Sequence, residues 1–60
     1  MNLFQRNQNV SFQDSTYGNL QGVISAPVYR YQQIYYLIDV DLPNIGLTPF
    51  LIKESDICEN

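Results

Sequence analysis

Gln33-Ile34-Tyr35-Tyr36-Leu37-Ile38-Asp39-Val40 is the stretch on which the fold turns. Its β-branched and aromatic residues favour a pleated, half-buried backbone. Successive side chains of a strand point to opposite faces. Ile34, Tyr36, Ile38 and Val40 therefore share one face, and Tyr35, Leu37 and Asp39 the other. Both faces are largely apolar, so this strand is expected to be covered on two sides, by its own chain or by another.

The segments around it read the same way. Asn9-Val10-Ser11-Phe12-Gln13 alternates polar and apolar, which points Val10 and Phe12 inward. Leu20 to Ser25 predicts a further strand containing Val23 and Ile24, with Gly22 marking a bulge or a bend. Leu47 to Ile52 predicts another, in which Phe50 and Ile52 share a face and Pro49 favours a sheet edge. Between them lie turn signals: Asp14 to Asn19 with an Asx-type start and a glycine, Ala26 to Tyr31, and the Pro-Asn-Ile-Gly stretch within Asp41 to Gly46. Glu54-Ser55-Asp56-Ile57 reads as one 3₁₀ turn, with room for a short last strand. The expected core is Val10, Phe12, Val23, Ile34, Tyr36, Ile38 and Phe50.

These elements predict an all-β fold, a small barrel of four to five short antiparallel strands with a 3₁₀ turn near the C-terminus. Residues 1–8 read as a polar, exposed N-terminal arm and 9–60 as a single domain. Asn9-Val10-Ser11-Phe12, a loop, then Gly18-Asn19-Leu20-Gln21-Gly22-Val23-Ile24 resembles the KOW-type opening of an SH3-like barrel. In that resemblance Ile34–Val40 corresponds to the long central strand and Pro49–Ile57 to the closing strand with its 3₁₀ turn. The likeness implies a fold and no particular activity, since such barrels host many unrelated functions.

Composition narrows the chemistry. At 60 residues the chain buries only about 60% of the surface its unfolded form exposes, so stability needs tight packing or association. Cys58 is the lone thiol and histidine is absent, which leaves neither an internal disulfide nor the usual ligands of a structural zinc site. Ser-His and Cys-His catalytic pairs are equally missing. Asp56 and Glu59 flank Cys58 and disfavour its thiolate, so it reads as a half-buried structural residue. The pairs Asp39/Asp41 and Glu54/Asp56 read as solvated charges beside turns rather than as calcium ligands. No enzyme activity and no cofactor is expected. A resemblance to the plasmid-type dihydrofolate reductases stops at the barrel, because their Val-Gln-Ile-Tyr motif has no counterpart; the nearest stretch is Gly46-Leu47-Thr48-Pro49-Phe50.

Arg6, Arg30 and Lys53 face six acidic residues, for a net charge of −3 and a pI near 4.2. Three scattered cations make a poor footprint for double-stranded DNA or an anionic membrane. With no basic start, no long apolar run and a single cysteine, the sequence leads to the expectation of a cytoplasmic protein. Tyrosine is the residue type that favours interfaces, through a rigid apolar ring with a polar tip. Tyr29, Tyr31 and Tyr35, with the outward Leu37, are accordingly the expected partner-binding residues. The reading is a non-enzymatic protein-binding module, an adaptor or inhibitor, with a two-fold homodimer covering Tyr35 and Leu37. The alternative is single-stranded nucleic-acid binding by tyrosine stacking, which requires the three cations to converge.

Overall fold

A computed structural model describes residues 3–60. Five strands follow one another: β1 (Asn9–Asp14), β2 (Gly18–Arg30), β3 (Gln33–Leu42), β4 (Gly46–Lys53) and β5 (Ile57–Glu59), with a 3₁₀ turn over Glu54–Asp56. All pairings are antiparallel, and they build a single sheet in the order β4-β3-β2-β1-β5. The protein is all-β. Its sheet is open, with β4 and β5 as the outermost strands, but strongly curled. Phe12 on β1 and Phe50 on β4 have two strands between them in the sheet, yet their ring centroids are 5.4 Å from each other. A flat sheet would hold those strands about 14 Å apart.

The inner face of that curl is the core. Val10, Phe12, Ile24, Tyr36, Ile38, Val40, Leu42 and Ile57 are buried along it, with Leu20, Ile34, Phe50 and Ile52 packed at its margin. Val23 is not part of it, contrary to the sequence reading: it is 37% exposed, and Ile24 takes the inward place. The cause lies in the register. Val10 faces Gly22 and Phe12 faces Leu20, so Leu20, Gly22 and Ile24 share the inner face and Val23 is turned outward between Asn9 and Asp39. Gly22 marks neither bulge nor bend by itself. A Cβ there would meet the Asp39 carbonyl oxygen at 2.6 Å and the Ile38 and Val40 methyls at 2.7 and 2.9 Å. The register shift falls two residues later, between Ile24 and Ala26.

The stretch expected to be the loop Ala26 to Tyr31 is instead mostly strand. β1 stops pairing with β2 at Val23, so from Ala26 onward β2 has β3 on one side only. Such an edge tolerates Pro27, which has no N–H to donate. The connection shrinks to Tyr31-Gln32, both at positive φ (50° and 62°), the signature of a two-residue type I′ hairpin turn. The loop after β3 is likewise shorter than the sequence implies, because Leu42 and Gly46 still pair. The first loop is as expected: the Asp14 carboxylate accepts the Thr16 and Tyr17 N–H groups at 2.9 and 3.0 Å, and Gly18 supplies φ +80°.

The described part of the N-terminal arm is exposed at Leu3, Gln5, Arg6 and Asn7, as expected, but it is fastened to the domain; residues 1 and 2 lie outside the described residues. Phe4 is buried edge-on against Tyr36, with centroids 5.4 Å apart. The amides around it supply polar fastenings. Asn7 N–H donates to the Ile24 carbonyl at 2.8 Å, and Ile24 N–H donates back to the Gln8 carbonyl at 3.0 Å. A short polar segment thus plugs the open end of the core with one aromatic ring. Among the described residues no helix is long and apolar enough to cross a membrane.

Candidate functional site

The register of β2, β3 and β4 places their outward side chains in rows. Val28, Tyr35 and Lys53 form one row; Ala26, Leu37 and Leu51 the next; Val23, Asp39 and Pro49 a third; Asp41 and Leu47 the last. Cross-strand neighbours of this kind stand about 4.5–5.5 Å apart at Cβ. On β3 and β4 these rows form an apolar strip from Tyr35 and Leu37 across Leu51 to Leu47, and among the described residues no element lies over this face. Leu47 is 72% exposed and Leu51 44%. Tyr35 and Leu37 are half-buried.

Charge is sorted along the same face. Arg30, opposite Gln33, and Lys53, opposite Tyr35, lie at the hairpin end. Asp39 and Asp41 lie at the other end, where they line a shallow groove of about 470 Å³ with Gln21, Val23 and Leu47. A second groove, of about 650 Å³, runs where β4 comes alongside β1 and β5; Phe12 and Ile52 line it, and Tyr35, Lys53, Gln13 and Asp56 stand around them.

The four residues expected to bind a partner are therefore divided. Tyr35 and Leu37 share the outer face, as alternation predicts. Tyr29 is paired with Ile34 and has the opposite parity, on the projecting β2–β3 hairpin, where it is 64% exposed. Tyr31 occupies the turn itself and is 88% exposed. The cations do not converge on one spot. Arg30 and Lys53 share an end of the outer face, whereas the Arg6 Nε–H donates to the Ser25 carbonyl at 3.2 Å. Leu51, Leu47 and Val23 are contributors the sequence reading missed. The available signal was the β4 alternation, which sets Leu47, Pro49 and Leu51 on one side once Phe50 and Ile52 are placed inside.

One polar cluster is built into the opposite side of the molecule. The Tyr36 hydroxyl donates to a Glu54 carboxylate oxygen at 2.7 Å and accepts the Phe4 N–H at 3.3 Å. The same carboxylate oxygen accepts the Leu3 N–H at 3.1 Å. These contacts shift both groups. The Leu3 N–H, then the Tyr36 hydroxyl, hold the Glu54 carboxyl below its ordinary value, while burial first, and the Glu54 contact next, push the Tyr36 hydroxyl up. The cluster ties the arm to the 3₁₀ turn through the Tyr36 hydroxyl, the one polar side-chain atom among the inward-facing residues of β3. Its role is architectural. Cys58, on β5 opposite Ser11, is exposed rather than half-buried, because a three-residue edge strand has no neighbour beyond it.

No family model, curated protein or solved structure matches this chain.

Proposed function

We propose that the protein is a small acidic, non-enzymatic binding module that engages another protein through the outer face of β2, β3 and β4. The observation that carries this reading is the uncovered apolar surface from Tyr35 and Leu37 across Leu51 to Leu47, on a domain small enough that burying such groups matters. The exposed turn residue Tyr31 extends the surface beyond the sheet, while Tyr29 lies on the other side of the hairpin. The resemblance to an SH3-like barrel with a KOW-type opening belongs to the same proposal. Five antiparallel strands with a 3₁₀ turn before the last support it.

The second reading is single-stranded nucleic-acid binding. It is favoured by one feature, the Tyr29-Arg30-Tyr31 tip, where a cation is flanked in sequence by two exposed tyrosines. Against it stands the net charge of −3. Capture from the native lysate with the wild-type chain and with Leu51→Glu as parallel baits separates the two. A protein retained after nuclease treatment and lost with Leu51→Glu supports the module. Retention that disappears with nuclease, together with a salt-sensitive gel shift lost in Tyr31→Ala, replaces it with the second reading.

A further inference from the structure

We infer that the outer face is made to be covered by a second copy of this chain, stacked sheet on sheet with its strands reversed. The inference rests on the binding role proposed for this face and names its occupant. Its ground is the distribution of charge on the face. Of the three cations in the chain, Arg30 and Lys53 lie at one end of the apolar rows, and Asp39 and Asp41 lie at the other. From the Tyr35 row to the Asp41 row the backbone advances about 20 Å at ~3.4 Å per residue. Leu37 and Leu51 sit between those ends and carry no charge.

Such a face is complementary to itself in one orientation. A two-fold axis lying between the sheets and perpendicular to β3 reverses one copy along the strand direction. It sets Lys53 and Arg30 of each copy over the Asp39–Asp41 end of the other, twice by symmetry, with the Leu37–Leu51 row near the centre. A two-fold axis parallel to β3 would instead set cations over cations and carboxylates over carboxylates. Isologous contacts of this kind are the commonest route to closed dimers, and opposite charges at their rim fix orientation more than they add affinity. Stacked sheets pack about 10 Å apart, close enough for the Leu37–Leu51 rows of the two copies to meet near the axis, while Leu47 of each copy comes over the Tyr35–Lys53 end of the other. Only three strands take part, so the interface is small and the association falls in the weak, reversible class.

Sedimentation equilibrium across the micromolar range tests this, at low and at high salt. The wild-type chain is expected to pass from 7.0 kDa to twice that mass, with the dimer weakened by added salt. Lys53→Glu and Asp41→Lys should each weaken the dimer by more than about tenfold, because each creates two like-charge contacts. Mixing the two variants should restore dimers, and so should combining both substitutions in one chain. That last result separates the reversed orientation from the parallel one, in which the double variant merely exchanges one set of like-charge contacts for another. Circular dichroism of each variant establishes that the sheet is intact. A species of 7.0 kDa at every concentration and salt overturns the inference, as does a wild-type dimer that tightens with salt or survives both single substitutions. If the chain is monomeric throughout while the Leu51→Glu bait still loses a protein, the binding role stands and only its occupant is wrong.

Discussion

Replacing Gly22 by alanine puts a methyl group where the backbone of β3 already stands. The new Cβ would lie 2.6 Å from the Asp39 carbonyl oxygen, 2.7 Å from an Ile38 methyl and 2.9 Å from a Val40 methyl. Side-chain methyls can rotate away; the carbonyl belongs to a strand paired on both sides, at Val23 and at Pro49, and moves only if the sheet moves. Overpacking in a tight core costs about 1–3 kcal/mol, and a backbone obstacle puts this site at the upper end. Alanine returns about 0.4–1 kcal/mol by stiffening the unfolded chain. The net loss is therefore about 2–3 kcal/mol, a large part of the ~3–5 kcal/mol that a core of this size supplies. Thermal unfolding followed by far-ultraviolet circular dichroism should show Tm falling by roughly 10–20 °C. Gly18→Ala makes the control. Nothing stands within 4 Å of its Cβ, so only the left-handed φ of +80° is penalised, at a cost of about 1 kcal/mol. If Gly22→Ala melts within a few degrees of wild type, or no lower than Gly18→Ala, the close approach of β2 to β3 is not as described.

The other expectations concern the core and its polar clasp. Ile24→Ala should cost about 2–5 kcal/mol in urea unfolding, and Val23→Ala less than about 1 kcal/mol, reversing the order that the sequence alone assigns to these neighbours. Equal losses would contradict the register between β1 and β2. Phe4→Ala should cost about 3 kcal/mol, since it empties a ring-sized space beside Tyr36; an unchanged urea midpoint would mean that the arm does not pack. Glu54 gives a pH dependence of definite sign. The fold favours its charged form, so its contribution is complete above the ordinary value of 4.5 and is lost as pH falls through the depressed one. Glu54→Gln should accordingly flatten the fall in stability below that pH, and parallel profiles for the two proteins would refute the clasp. Replacing Tyr31-Gln32 by Asn-Gly should raise stability by about 1 kcal/mol, because both turn residues sit at positive φ that tyrosine and glutamine adopt poorly; a lower Tm would show a different turn.

Much of the sheet is legible in the residues, and where the reading fails the reasons are physical. The β3 alternation from Ile34 to Val40 placed Tyr36 and Ile38 inside and Tyr35 and Leu37 outside, because a period of two leaves no other choice once one face is buried. Val23 and Ile24 could not be ranked in that way. They are adjacent and similar, and what decides between them is the space around Gly22, a property of β3 rather than of β2. Phe4 lay hidden among amides, since a single ring carries no periodicity. The long hairpin is illegible from sequence because Pro27 normally ends a strand, and only the loss of β1 as a neighbour permits it. The same holds for the site: nearness in sequence groups Tyr29 and Tyr31 with Tyr35, while the strand pairing sends them to different places. The polar partner of Tyr36 was illegible too, as Glu54 lies eighteen residues away on the 3₁₀ turn.

The pairing of β1 with β5 has a consequence for how the chain finds this structure. Every other pairing joins consecutive strands, so β1 to β4 can zip up as successive hairpins, each closing a short loop on the microsecond scale. Phe12 and Ile57, by contrast, are about 45 residues apart in the chain, and a free loop of that length carries about 3 kcal/mol of length-dependent closure entropy. Three residue pairs would hardly repay that alone. Once the meander has curled, however, its ends are already close, and β5 completes a nearly formed surface. Docking of Ile57 is thus expected late in folding and early in unfolding. In hydrogen exchange the amides of β5 should open well before those of β3, which makes the last strand the latch of the sheet.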